Sequence, residues 1–424
     1  MKKIIDRKKE NKKKSEKENK RIELISPAGS WESLASALDS GADAVYFGSK
    51  LLNMRANAKN FELNELKKIV KRCHETGKKA YLTLNTIVYD DEAETVEKIL
   101  KSAKNAGIDA IITWDLAIIS RAKKLGIPFH ISTQASISNY ESLEFYHDLG
   151  AECIVFAREL KLEQIKKITD RCRKNNIDIK VESFCHGAMC VAVSGRCFTS
   201  QFLYGRSANR GDCLQPCRRS YKVSDPETGK ELALENNYVM SPKDLCTIEI
   251  IDKLIESGID VLKIEGRNRP PEYVKVVTKA YREAIDAYYE NKLTKELKEE
   301  LIERLRQVYN RKFHTGFYNG TPTADDFTDL YGSDSTRQKI FVGAIKKVYL
   351  KIDAYELELN SQGLKVSDNI LVTGKTTGAV ETMVASIHDS RGKEVKSAKK
   401  GEHIGIRFET EKKLRVNDKI FLYR

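Results

Sequence analysis

The stretch IELISPAGSWESLASALDSGADAVYFG, residues 22–48, contains the unit from which most of the chain is built. A short apolar run at 22–26 leads through a polar loop into a segment with apolar residues at helical spacing. A glycine then precedes a second apolar run at 44–48. The unit recurs. Strand-like runs follow at 79–86, 110–114, 129–133, 153–157, 179–184 and 261–265, which makes eight. Between them lie WESLASALDSG, LNELKKIVKRCHETG, AETVEKILKSAKNAG, LAIISRAKKLG, ESLEFYHDLG and LEQIKKITDRCRKNN, and five of these six end in Gly, as helix C-termini do.

Near-continuous apolar strands need cover on both faces, so they predict a parallel sheet under helices. The count of eight favours a closed (β/α)8 TIM-like barrel over a doubly wound sheet. In such a barrel the loops after the strands share the active face, which here would carry Pro27, Ser49, Arg55, Asn85, Asp115, Gln134, Arg158, Glu182, His186, Glu265 and Arg267. Asp115 and Glu159 also suit helix capping, and Asn85 and Gln134 suit buried backbone groups at the rim. Arg158 and Arg267, each following an apolar strand, are shaped for a carboxylate or phosphate at the pocket mouth. His186, directly after a strand, fits either a supporting hydrogen bond or proton transfer. With the carboxylates Glu182 and Glu265, these residues describe a pocket for a small anion.

Outward from the barrel, the 424 residues carry a formal charge of +13 that is unevenly spread. Residues 1–20 hold nine Lys and one Arg against four acids, which is +6 and leaves +7 for the rest. Residues 1–21 are therefore expected to be a basic, disordered tail. The N-terminus lacks the apolar core of a secretory signal, and no apolar run reaches the roughly 18 residues of a membrane span, so a cytoplasmic protein without membrane contact is expected. The barrel is expected over 22–320, with a cysteine-rich insertion at 185–246 and a linker at 321–338. From 339 to 424 the pattern changes to period-two alternation, broken by GKTTG and DSRGK, which predicts a small C-terminal β-barrel. LKVSDNI at 364–370 and LRVNDKI at 414–420 are near-copies that suggest two equivalent strand corners. This part resembles the second-domain barrel of translation factors.

Six of the nine cysteines fall between 185 and 246: Cys185, Cys190, Cys197, Cys213, Cys217 and Cys246. A reducing cytosol disfavours disulfides. Paired C-x-x-C knuckles of a zinc ribbon do not occur, and separated thiolates fit an iron-sulfur cluster; zinc ligation and merely reactive thiols remain open at this level. The same insertion interleaves Arg196, Arg206, Arg210, Arg218 and Arg219 with Phe198, Phe202, Tyr204 and Tyr221. Cations for phosphates beside aromatics for unpaired bases suggest a single-stranded RNA surface. No H-E-x-x-H helix or G-x-S-x-G elbow occurs, and adjacent Cys185 and His186 are poorly placed for a thiol–imidazole pair, so the sequence shows no peptidase machinery.

The segments ELISPAG, ADAVYFG, ESFCHGAMCVAVSGRCFTS and NRGDCLQPCRRSY, with SPKDLC, KIEGR and NRKFHTGF downstream, resemble the peptidase U32 family, also called collagenase-like peptidases, over about residues 22–340. Lys312 stands where the last motif usually has Gly. The resemblance implies an oxygen-independent hydroxylase holding a 4Fe-4S cluster and acting on a tRNA wobble uridine, a ribosomal RNA cytidine or a quinone ring, with prephenate as the hydroxyl source for the RNA members. It also implies a protease as the alternative, since the family was named for that activity. Carried over by motif, the ligands are Cys190, Cys197, Cys213 and Cys246, with Cys217 in reserve and Cys185 behind them. The catalytic candidates are Arg158, Glu182, His186, Glu265 and Arg267. The basic charge and the second barrel favour RNA as the partner.

Overall fold

The structure is a computed structural model that describes residues 21–232 and 237–424. The expected basic tail lies outside the described residues except for Arg21, which reaches Asp286 at 3.4 Å. The first ten strands used below are β1 (Glu23–Ala28), β2 (Ala44–Gly48), β3 (Lys79–Thr83), β4 (Ala110–Thr113), β5 (Phe129–Ile131), β6 (Cys153–Val155), β7 (Lys180–Ala188), β8 (Asp244–Cys246), β9 (Val261–Ile264) and β10 (Phe313–His314). β1 to β7 pair in parallel in chain order, and β9 pairs in parallel with both β7 and β1. Eight parallel strands, with β9 as the eighth, therefore close into the expected barrel. The runs at 79–86 and 129–133 end early, because the residues that follow turn into loops; Thr133–Ala135 is a 3-10 turn.

The outer layer consists of α1 (Trp31–Asp39), α2 (Leu66–Glu75), α3 (Ala93–Ala106), α4 (Leu116–Leu125), α5 (Tyr140–Asp148) and α6 (Leu162–Lys174), completed after the insertion by α9 (Pro271–Tyr289) and α10 (Lys295–Arg306). The short α7 (Thr199–Tyr204) and α8 (Ile251–Glu256) lie between. The helices of the outer layer bury an apolar stripe on the barrel, as α2 does with Leu66, Ile69, Val70 and Cys73. The glycines that mark helix ends in the sequence all take positive φ, and Asn176 does the same after α6 at φ 55. Asp115 caps α4, accepting from the backbone N–H of Ala117 (2.9 Å) and Ile118 (3.3 Å), so its helix-capping reading holds.

α9 begins at Pro271, where the missing N–H costs nothing. Its Tyr273 and Tyr281 are fully buried and reach back to the barrel: Tyr273 donates to the Glu265 carbonyl (2.9 Å) and Tyr281 to the Cys185 carbonyl (2.7 Å). These bonds fix the ends of β9 and β7, the two strands that carry most of the site.

The last six strands are β11 (Lys339–Tyr349), β12 (Ala354–Glu358), β13 (Asn369–Gly374), β14 (Gly378–His388), β15 (His403–Phe408) and β16 (Lys419–Tyr423). They pair antiparallel in the order β13, β16, β11, β12, β15, β14 and back to β13, a small closed barrel. The near-copies form matching corners. Ser367 and Asn417 both adopt positive φ, at 69 and 71. Asp368 accepts from the Lys365 N–H (2.8 Å) and Asp418 from the Arg415 N–H (2.9 Å). The small barrel packs on α1, α2 and α9: Arg72 donates to the carbonyls of Lys375 and Thr376, and Lys339 pairs with Glu272. Residues 321–338 fold back on the larger barrel, where the Thr328 N–H donates to Ser241 and the Asp334 N–H to Asn310.

Candidate functional site

The loops after β2, β3, β5, β6 and β9 surround a cleft of about 660 Å3, open to solvent, at the barrel mouth. Arg55, Asn85, Gln134, Arg158, Glu265 and Arg267 line it, and Cys190, Ser194 and Gly195 of the insertion form part of its wall. The insertion thus covers the mouth. Gly187 allows this path: at φ 106 it passes so close to β9 that a Cβ would stand 2.4 Å from the Glu265 carbonyl oxygen.

The charges in the cleft do not balance locally. Arg55 grips Glu265 through Nε (2.9 Å) and its second terminal nitrogen (2.8 Å). Burial alone would raise the Glu265 carboxyl, but Arg55, Arg158 and Arg267 hold it at about 2. Below the cleft, Lys263 pairs with the fully buried Glu182 at 2.6 Å. Those two pairs leave Arg158 and Arg267 without a bonded carboxylate. Arg267 donates to Asn53 Oδ1 (3.0 Å) and Thr83 Oγ1 (2.8 Å), and Arg158 donates to the Ala188 carbonyl (2.8 Å) and stacks 3.8 Å from the Phe184 ring. The Nε of each is buried without a partner. Burial lowers both guanidinium groups, Arg267 to about 10. A cation held from water without a bonded counter-charge is costly, so the arrangement is chemically able to accept an anion between the two guanidinium groups.

Arg158, Glu265 and Arg267 thus come together in the cleft. Glu182 and His186 do not. Glu182 is one layer deeper, where burial raises its carboxyl against the pull of Lys263. It forms, with His130 and Cys153, the one group among the described residues whose ligand atoms lie within 4.8 Å of one another. His186 is in the wall between barrel and helices, against the rings of Tyr273, Tyr281 and Phe313, and burial holds it at about 3. The cause is a register shift: Phe184 pairs with Lys263 but His186 with the very next residue, Ile264, so β7 bulges at Cys185. Arg55, buried in the cleft and bonded to Glu265, is the residue a strand-by-strand reading placed on the face without giving it a role.

The cysteines separate into two groups. Cys190 is exposed, while Cys197, Cys213 and Cys217 are partly buried. The Cys217 thiol is pushed up by burial and, against Arg218, by Cys190, Cys213 and Cys197; the Cys213 thiol is pushed up by burial and by Cys190 and Cys197. These four therefore share one neighbourhood. The Gln215 backbone, at φ 54, turns its N–H onto the Cys213 sulfur at 3.4 Å. Cys246 lies elsewhere. β8 runs antiparallel to the end of β7, which aims Cys246 at Tyr281 Oη (3.9 Å), and its buried thiol feels Arg306 and Glu249 rather than the insertion's sulfurs. Of the set carried over by motif, Cys190, Cys197 and Cys213 therefore lie together with the reserve candidate Cys217, and Cys246 stands apart from them. Cys185 is buried on the same side as Cys246.

The arginines of the insertion are mostly structural. Arg196 donates to the Gln134 carbonyl (2.8 Å), Arg206 pairs with Asp212, Arg210 with Glu92, and Arg218 bonds the Pro242 carbonyl (2.8 Å). Arg206 and Arg219 both face outward; Arg206 is tied to Asp212, and Arg219 lies over the Tyr204 ring at 5.2 Å. The turn at Lys312 survives without glycine: Lys312 adopts φ 60, its N–H held by Asn310 Oδ1 (3.0 Å).

The profile of peptidase family U32 matches residues 29–328. A protein of Porphyromonas gingivalis named collagenase is 42% identical over 95% of this chain and 98% of its own length. The tRNA hydroxylation protein P1 of Bacillus subtilis is 34% identical over 93% of both chains. The 23S rRNA 5-hydroxycytidine C2501 synthase of Escherichia coli is 40% identical over 64% of this chain and 40% of its own length.

Proposed function

This chain belongs to the peptidase U32 family, and we propose that it is an RNA-hydroxylating enzyme of that family, working on a pyrimidine of tRNA or ribosomal RNA. One observation carries the reading: two arginines, Arg158 and Arg267, line a cleft in which the one nearby carboxylate, Glu265, is bonded to Arg55 and neither of them has a bonded carboxylate of its own, beside a wall of the cysteine insertion. That charge pattern suits a dicarboxylate such as prephenate as the hydroxyl source. A neutral quinone ring would leave both guanidinium groups uncompensated.

Cys190, Cys197, Cys213 and Cys217 fit a 4Fe-4S cluster as a donor set. All four are free thiols, and Cys213 and Cys217 each feel Cys190 and Cys197, so the four soft donors share one neighbourhood. When bound, the cluster would supply one-electron chemistry next to the cleft. The protein's own part is to orient the anion with Arg158 and Arg267 and to keep Glu265 ionised through Arg55.

A peptidase reading follows from the name of the Porphyromonas relative. Among the described residues, however, no imidazole opens on the cleft beside a thiol. Mass spectrometry of nucleosides from tRNA and ribosomal RNA, in a host without the native gene and the same host complemented, tests the two readings together. A pyrimidine heavier by one oxygen is expected with the protein and not without it. Arg158→Lys keeps the charge but loses the fork, and a lost contact to a buried charged partner costs about 2–5 kcal/mol, so the modification should drop thirtyfold or more. An unchanged nucleoside profile, with peptide cleavage by anaerobically purified protein, would overturn the proposal.

A further inference from the structure

The insertion has a second feature that the cleft does not use. α7 is a helix of six residues that buries only Ser200, whose Oγ accepts the Leu214 N–H at 3.1 Å. Everything large on it faces water. Phe202 is 82% exposed and Phe198 57%, and their rings are stacked at 5.9 Å with planes 25° apart. Tyr204, two residues on and so on another side of the helix, carries the Arg219 guanidinium over its ring at 5.2 Å. A phenyl ring left this exposed contributes little to the fold. Two exposed rings stacked side by side present an apolar π-surface to solvent.

We propose that this face is a stacking platform for unpaired bases of the RNA substrate, a binding site separate from the cleft. The inference rests on the RNA reading above and adds where the strand lies. Three observations favour nucleobases over a protein partner. The rings are stacked and exposed, as end-stacking of a base requires; the chain outside residues 1–20 still carries a formal charge of +7; and Phe198 is three residues from Gly195, which lines the cleft, so the rings lie within reach of its mouth. A strand held here by its bases would deliver a neighbouring nucleotide, turned out of its stack, to the mouth. The aromatics, and not the arginines of the insertion, then carry the recognition, because four of those five arginines are committed to the protein itself.

The test is equilibrium binding of a short single-stranded RNA oligonucleotide to the full-length protein, read by fluorescence anisotropy. Phe198→Ala and Phe202→Ala should each weaken binding about tenfold, and Phe202→Trp should restore it, since stacking tolerates any large π-face. The dependence of affinity on salt should keep its slope in all three, because no phosphate contact is lost. Thermal unfolding and the visible absorbance of anaerobic protein should match the parent. Parent-like affinity in both Ala variants would overturn the platform while leaving the RNA reading standing. A parent that binds no RNA would overturn both. If the Ala variants instead convert a sedimenting dimer to a monomer, or abolish binding to anionic vesicles, with RNA affinity unchanged, the face belongs to another partner and the inference fails.

Discussion

Replacing Glu265 by Gln probes the charge arrangement on which the functional reading depends. Three guanidinium groups bring this carboxyl from an ordinary 4.5 to about 2 in spite of its burial. At about 1.36 kcal/mol per unit, the ionised form is worth roughly 3 kcal/mol to the folded state. The sign follows from proton counting. The folded carboxyl is the stronger acid, so between pH 4.5 and 2 the unfolded chain binds more protons, and the stabilisation present at neutral pH is lost as the pH falls through that window. Glu265→Gln should therefore be roughly 3 kcal/mol less stable than the parent at pH 7, and the gap should shrink to about half or less at pH 3. Urea unfolding followed by tryptophan fluorescence suits the measurement, because the chain's two tryptophans, Trp31 on α1 and Trp114 after β4, both report on the larger barrel. Equal stability of the two proteins at pH 7, or a gap that does not shrink on acidification, would refute the claim that the arginines act on this carboxylate.

Two further outcomes are expected. Cys217→Ala should bleach the anaerobic protein as fully as Cys190→Ala, whereas Cys246→Ala should keep the visible absorbance; the reverse pattern would restore the motif-based ligand set. His130 and His186 are held neutral, each near 3, by burial. Their folded affinity for protons is the lower one, so the unfolded chain takes up protons first and stability should decline below about pH 6.5, by up to about 1.4 kcal/mol per pH unit for each histidine. A stability–pH curve for His186→Gln that is as steep between pH 6.5 and 4 as the parent's would show that this imidazole is not the source.

The barrel is legible in the sequence because strands buried on both faces leave continuous apolar runs, and because helix ends need a residue that accepts positive φ. The insertion is less legible, since its geometry comes from pairings distant in sequence. Spacing does not distinguish Cys217 from Cys246. What separates them is the return of β8 against the end of β7, a pairing of three residues that leaves no periodic signature. His186 shows the same limit at smaller scale. Counting by twos from Glu182 and Phe184, which face the barrel interior, puts His186 inside as well, and one bulged residue, Cys185, reverses it. The arginines mislead for another reason: a guanidinium reads as a surface cation in sequence, but in a loop of little secondary structure it satisfies the backbone carbonyls that strands and helices would otherwise pair.

That use of arginine ties the insertion to the cleft. Arg196 binds the Gln134 carbonyl, Arg210 the Ile87 carbonyl and Glu92, the Gly211 carbonyl accepts from the Ala56 N–H, and Asn57 donates to the Cys213 carbonyl. The loops so engaged follow β2, β3 and β5, and they are the same loops that carry Arg55, Asn85 and Gln134 into the cleft. The position of the thiols and the position of the anion-binding groups are therefore set by one shared network of backbone contacts. The packing is close at Gly195, where a Cβ would meet Met54 at 2.6 Å and Gln134 at 3.2 Å, so the loop that carries Cys190 and Cys197 and the residues lining the cleft cannot move independently of one another.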